Sequence, residues 1–183
     1  MSTKHLRTPL QREQVRNLYA GDVVLLSGTI YTARDAAHKR LLRGLAAGEE
    51  APFPLQGSVV YYVGPTPAPP GCVIGAAGPT TSYRMDMYTP ELLRCGVAAT
   101  IGKGQRGGGV HQALQDYGGV YFGATGGAGA LLAQRILAAR VIAYADLGPE
   151  AIRELEVADF PLVVLNDCYG GDVYARAQSN ADP

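Results

Sequence analysis

Three cations and a hydroxyl stand at places in this chain where an anion could be held: Arg34 in TIYTARDAAH, Thr80 and Arg84 in GPTTSYRMD, and Lys103 in GKG. Each follows a β-rich run, and in parallel α/β sheets ligands collect at the carboxyl ends of strands. A guanidinium fork grips a carboxylate through two parallel hydrogen bonds, and a lysine adds a point charge, so the three cations together suit a small dicarboxylate. Any one of them alone would read as a surface or salt-bridge residue. None has an evident carboxylate partner within its own motif. Asp35 and His38 share the Arg34 motif and lie three residues apart on an expected helix, where they can meet as a local pair. Their expected role is to support Arg34.

The elements that must carry these residues can be read from the hydrophobic pattern. Thr8-Pro9 reads as an N-cap followed by proline at the first helical position, with Leu10, Val15 and Leu18 as the apolar side of a short helix. Residues 22–31 form a β-rich run, 33–46 an amphipathic helix, and 57–63 a strand. A proline-rich loop, 64–71, leads to a strand-like segment at 72–77 and the turn at 78–82. A short helix after Pro90, a strand at 97–101 and the glycine-rich loop 102–109 follow. The remainder reads as helix 110–117, strand 119–123, a glycine loop, helix 128–138, strand 140–145, and two strand-like runs at 152–157 and 161–166. This alternation predicts an α/β domain with a mostly parallel sheet. Of the adjacent Tyr61 and Tyr62, one is expected in the core and the other facing outward. A break near 48–54 would leave each side too small for a core, so residues 1–183 are expected to form a single domain.

Composition narrows the function. The 183 residues are 47% hydrophobic and 17% charged, which excludes a disordered chain. Sixteen basic residues balance sixteen acidic ones, so no overall field draws the chain to nucleic acid or to a membrane. The N-terminal MSTKHLRTPLQREQ has no apolar signal-like core, and no apolar run approaches the roughly 18 residues of a membrane span, which predicts a cytoplasmic location. Cys72, Cys95 and Cys168 are dispersed, without the spacing of a zinc or cluster site, and read as ordinary thiols of a reducing compartment. GATGGAGA at 123–130, with Asp146 beyond the next strand, does not meet the GxGxxG spacing of a dinucleotide fold. His111 reads as a helix-start or surface residue. A stand-alone anion- or nucleotide-binding module is the rival from another class.

The ordered series GTIYTARDAAHKR, VVYYVGP, GPTTSYRMDMYTP, GKG, YGGVYFGATGGAGALLA and LGPEAIRELEVADFP spans most of residues 10–167. It resembles the β subunit, or the C-terminal domain in single-chain members, of class I iron–sulfur fumarate hydratases and L-tartrate dehydratases. The resemblance implies a swivelling β/β/α domain, with a mostly parallel central sheet, a second sheet and flanking helices. It implies a [4Fe–4S] cluster carried by the cysteines of a partner α subunit and none bound by this chain, with the cluster's open iron acting as a Lewis acid on the hydroxyl. Carried over by position, Arg34, Arg84 and Lys103 hold the substrate carboxylates and Thr80 transfers the proton, with an aspartate of the α subunit as its neighbour. Fumarate hydration is the leading activity, tartrate dehydration the alternative, and a methylated relative such as mesaconate a third substrate. Homodimerisation of the isolated chain stays open, as does the part played by residues after Phe160.

Overall fold

Lys4–Arg7 (β1), Val23–Thr32 (β2), Val59–Tyr61 (β3), Ala99–Gly102 (β4) and Val120–Gly123 (β5) lie side by side in that order, every neighbouring pair parallel. The structure, a computed structural model, describes residues 3–124 and 129–179. Between the strands run the helices Arg12–Arg16 (α1), Asp35–Ala46 (α2), Thr89–Arg94 (α3) and Gly108–Tyr117 (α4). A short helix Gly129–Ala133 (α5), a strand Ile136–Ala143 (β6), a long strand Ile152–Asn166 (β7) and a helix Val173–Ser179 (α6) complete the chain. Parallel neighbours need crossovers, and the helices supply them.

The strand β7 decides the overall form. It runs antiparallel to β2, β5 and β6 at once, so β2, β3, β4, β5 and β7 close into a ring with β1 and β6 attached outside it. The two expected runs at 152–157 and 161–166 are one strand carrying a bulge. Asp159, at φ +47°, donates its N–H to Ser27 Oγ at 3.0 Å, and the pairing steps from Leu26↔Phe160 to Gly28↔Val157. A bulge bends a strand and increases its twist, which a closing sheet requires. All described strands belong to this one sheet, so the expected separate second sheet is not seen among the described residues.

One face of the ring strands fills the interior with Leu26, Ile30, Tyr61, Ile101, Phe122 and Val164. The opposite face packs Tyr31, Val60 and Tyr62 beneath α2, and Tyr121 beneath α3 and α4. Tyr61 and Tyr62 therefore do point to opposite faces, but both are fully buried. The expectation of an outward tyrosine fails because helices cover the second face of a parallel sheet.

Other expectations are corrected by tertiary partners. Thr8 does not cap a helix: its N–H donates to the Ser27 carbonyl, and Gln11 is the N-cap of α1, although Leu10, Val15 and Leu18 are buried as expected. Residues 72–77 form no strand, because the loop folds on itself through Thr66, whose N–H and Oγ1 pair with the carbonyl and N–H of Ala76 at 3.1 and 2.8 Å. The run expected as helix 128–138 gives only α5 before β6 begins, since pairing of Ile136 with Val157 and Arg140 with Glu154 overrides its helical propensity. Positions 125–128 of the glycine stretch lie outside the described residues. Asp146 is engaged at the surface with Arg40 through two hydrogen bonds of 2.8 and 2.7 Å. His111 sits in the first turn of α4, with Nε2 3.8 Å from Asp172. Asp167, in the tail, is buried and accepts from the N–H groups of Ala20, Tyr169 and Gly171, tying the chain's end to the loop before β2. No described helix is long and apolar enough to cross a membrane.

Candidate active site

The carboxyl ends of β2, β3 and β4 lie next to one another, and the motifs singled out in the sequence emerge there. After Thr32 the backbone stays extended at Arg34, the residue that precedes α2. The Arg34 side chain lies across Gly64, where an added Cβ would stand 2.8 Å from Nη1. Only glycine lets the guanidinium approach the loop after β3 this closely. Arg34 Nη2 is 3.8 Å from Asp35 Oδ2 and 3.7 Å from Glu150 Oε1, beyond hydrogen-bonding distance. Its buried Nε has no partner among the described residues. Donors of Arg34 are thus left over for a ligand.

His38 is fully buried, stacked on Tyr88 at 5.6 Å and edge-on to Tyr62 at 5.4 Å. Burial pushes its pKa down to about 4, the Arg34 carbonyl opposing and the Arg106 charge adding to the fall. The ring is neutral near pH 7, and Nδ1, 2.8 Å from the Arg34 carbonyl oxygen, carries the hydrogen and donates it. His38 therefore holds the backbone of Arg34. The expected local pair with Asp35 does not form as a hydrogen bond, because the carbonyl one turn back is nearer and Asp35 turns to the arginines.

Asp35 Oδ2 stands 3.3 Å from Arg84 Nη2 as well as facing Arg34. For Arg34 this corrects the expectation of no carboxylate partner within its own motif, while the carboxylate beside Arg84 comes from the Arg34 motif. Arg84 lies in a 3-10 turn, Ser82–Met85, and its Nη2 also donates to Thr80 Oγ1 at 3.0 Å. Thr80 is fixed through its own N–H, which donates to the Tyr62 carbonyl at 2.8 Å.

Lys103 follows β4 directly and is exposed. Its backbone is bonded to the Thr80 loop: Ser82 N–H donates to the Lys103 carbonyl at 2.9 Å, and Lys103 N–H donates to Ser82 Oγ at 3.0 Å. The hydroxyls of Thr80 and Ser82 have different partners. Ser82 is buried and engaged with Lys103 and Tyr121, whereas Thr80 turns its hydroxyl to Arg84. Arg34, Asp35, Thr80 and Arg84 are linked side chain to side chain, and Lys103 joins them through the backbone.

Sequence reasoning missed three residues. Glu150, in LGPEA, accepts from Ala36 N–H at the start of α2 at 2.8 Å and faces Arg34. Arg106 has a wholly buried side chain and pairs with Asp86, Nε to Oδ1 at 2.6 Å. The signal available for Arg106 was an arginine inside a glycine-rich loop; nothing local pointed to Glu150 or Asp86.

Cys72 is exposed in the proline-rich loop, Cys95 ends α3, and Cys168 follows β7. No group of three or more His, Cys, Asp or Glu residues among the described ones could hold a metal ion. These thiols do not fit an iron–sulfur cluster. Cavities of about 370 and 390 Å³ lie under the proline-rich loop, and neither is lined by Arg34, Thr80, Arg84 or Lys103. The cationic cluster is an open face, with Arg84 38% exposed.

A cationic, hydroxyl-bearing face at the carboxyl ends of parallel strands, open on one side, marks an α/β domain with side chains suited to a small anion and without the walls of a closed pocket. The chain belongs to the family described as the fumarase C-terminus, whose model matches residues 2–177. It is 37% identical over 176 residues to Fumarate hydratase 2 of Leishmania major, covering 93% of this chain and 31% of that protein. It is 41% identical over 154 residues to the anaerobic class I fumarate hydratase of Escherichia coli, covering 82% of this chain and 28% of that one. A protein of Methanocaldococcus jannaschii provisionally named L(+)-tartrate dehydratase subunit beta is 39% identical over 171 residues, 90% of this chain and 88% of its own length. The chain thus spans about a third of the fumarate hydratases it matches, and nearly all of a protein named as a β subunit.

Proposed function

We propose that this chain is the β subunit of a hydro-lyase that adds water reversibly to fumarate, acting only with an α subunit. The observation that carries the reading is the open cluster itself: Arg84 donates to Thr80 Oγ1 at 3.0 Å beside Arg34, on a face that this chain does not close. Arg34 and Arg84 have donors free to take substrate carboxylates, and Lys103 adds charge from the neighbouring strand. Hydration must deliver a proton to one carbon and hydroxide to the other. Thr80 is suited to the proton, because the guanidinium hydrogen bond lowers the cost of negative charge developing on its oxygen. Asp35 bridges the two arginines, offsetting their mutual repulsion, and His38 holds the Arg34 backbone.

The activity would need an iron–sulfur cluster, and since the thiols of this chain do not fit one, the α subunit is proposed to carry it. We take residues 1–183 as one domain of the swivelling β/β/α type, and as cytoplasmic. Tartrate dehydration is a second reading, favoured by the name of the relative whose length this chain matches. The test is anaerobic assembly of the chain with its α subunit, followed by the change in fumarate absorbance and by oxaloacetate formation from L-tartrate. Turnover by the assembly and not by either half supports the proposal. An assembly that turns over no dicarboxylate, or a chain active alone, overturns it.

A further inference from the structure

The side chain of Arg106 is 0% exposed, an unusual place for a charge. Its Nε donates to Asp86 Oδ1 at 2.6 Å and its Nη2 to Thr89 Oγ1 at 2.7 Å, with Thr100 Oγ1 3.3 Å from Nη1. The rings of Tyr62 and Tyr121 flank the guanidinium, their centroids 5.3 and 4.8 Å from Cζ. Asp86 uses its other oxygen, Oδ2, to accept from the Gly107 N–H at 2.6 Å. The Tyr121 hydroxyl lies 2.9 Å from both Ser82 Oγ and the Gly104 carbonyl oxygen. The Arg106 and Gly107 contacts join loop 103–107 to the segment 82–89 and to the residues beneath it, and the Tyr121 hydroxyl bridges the two from below.

Burying a charged pair rarely adds stability over an apolar pair of the same shape. What this pair does provide is geometry. Asp86 is two residues beyond Arg84, and Arg106 three beyond Lys103. Among the described residues, the other hydrogen bonds made directly between the two segments are those of Ser82 to Lys103, at the short Thr81↔Lys103 bridge.

We propose that Arg106 is a positioning residue that locks Lys103 to Arg84 and Thr80, so that the anion-binding face is preformed before a partner or substrate arrives. It touches no substrate and acts through the backbone of loop 103–107. The proposal rests on the reading of Arg84 and Lys103 as carboxylate ligands. Lysine cannot replace Arg106, because a single ammonium group lacks the planar fork that reaches Asp86, Thr89 and Thr100 at once.

Two arms test it. In the assembled protein, Arg106→Lys is expected to lower kcat/KM about 10²-fold, the scale of a misplacement near 1 Å. In a Lys103→Ala background the same change is expected to cost less than about 3-fold, since residues acting through one another are not additive. Equal losses in both backgrounds overturn the proposal. The second arm needs no activity: amide hydrogen exchange of the full chain with Arg106→Lys, and with Asp86→Asn, which keeps an acceptor for Arg106 but loses one for Gly107. Lys103 and Gly107 amides are expected to exchange at least about tenfold faster relative to β2 amides. Acceleration shared equally with β2 is mere loss of stability and overturns the proposal, as does no acceleration. An assembly inactive on every dicarboxylate overturns the hydro-lyase reading, and the exchange arm then decides on Arg106 alone.

Discussion

Stability should fall in mild acid because of one histidine. His38 is enclosed by Tyr62, Tyr88, the Arg34 carbonyl and the charge of Arg106, with Asp35 a weaker influence from its own helix. Its pKa is about 4 in the folded protein against an ordinary 6.5. Between those values the unfolded chain takes up a proton that the folded chain refuses, so stability is full above pH 6.5 and is lost as the pH falls toward 4. Integrating that linkage from pH 7.5 to pH 5 gives a loss of about 2 kcal/mol, or a urea midpoint lower by about 1 M at a slope near 2 kcal/mol/M. The perturbation is His38→Asn, whose amide can still donate to the Arg34 carbonyl but does not titrate. Urea unfolding of both proteins at the two pH values isolates the histidine, since the carboxylates are common to both. The parent should lose about 2 kcal/mol more than the variant over this range. Equal losses would refute the reasoning, and would mean that His38 is reached by water or that its Nε2 has an acceptor when protonated.

Three further outcomes follow from the site. In the assembled protein, Thr80→Ala should lower kcat by about 10²–10⁴ with little change in KM, measured by steady-state kinetics, because it removes a proton-transfer group and leaves the arginines. Ser82→Ala should instead raise KM, because Ser82 Oγ anchors the Lys103 amide. Gly64→Ala puts a methyl group 2.8 Å from Arg34 Nη1 and should raise KM for a dicarboxylate about tenfold or more by displacing the guanidinium, with the unfolding midpoint checked in parallel.

Much of the fold was legible because local signals agreed with the final contacts. The runs that became β2, β4 and β5, and the amphipathic α2, carry their period and their glycine or proline boundaries within a dozen residues. The positions of Arg34 and Lys103 beside strand ends were legible for the same reason, since a motif that follows a strand is placed by it. Thr80 and Arg84, by contrast, come there without the strand expected before them, through the Thr80 N–H bond to the Tyr62 carbonyl and the Thr81↔Lys103 bridge. Where the reading failed, the deciding partner was distant. The start of β6 reads as helix because the stretch that runs into it, GALLAQRILA, favours helix, and only the pairing with β7 settles it.

The sequence alone determined an α/β domain with parallel strands, a short set of cations following those strands, and a resemblance strong enough to name a family. Only the tertiary structure decided that the sheet closes through β7, that Tyr62 is buried and that His38 is neutral. It alone showed that Asp35 faces both arginines and that Arg106 is bound to Asp86. The physical reason is common to all of these. Closure, burial and ion pairing depend on residues that are 20 to more than 100 positions apart, as with Asp86 and Arg106 or Ala36 and Glu150, and no local pattern records which of them will meet.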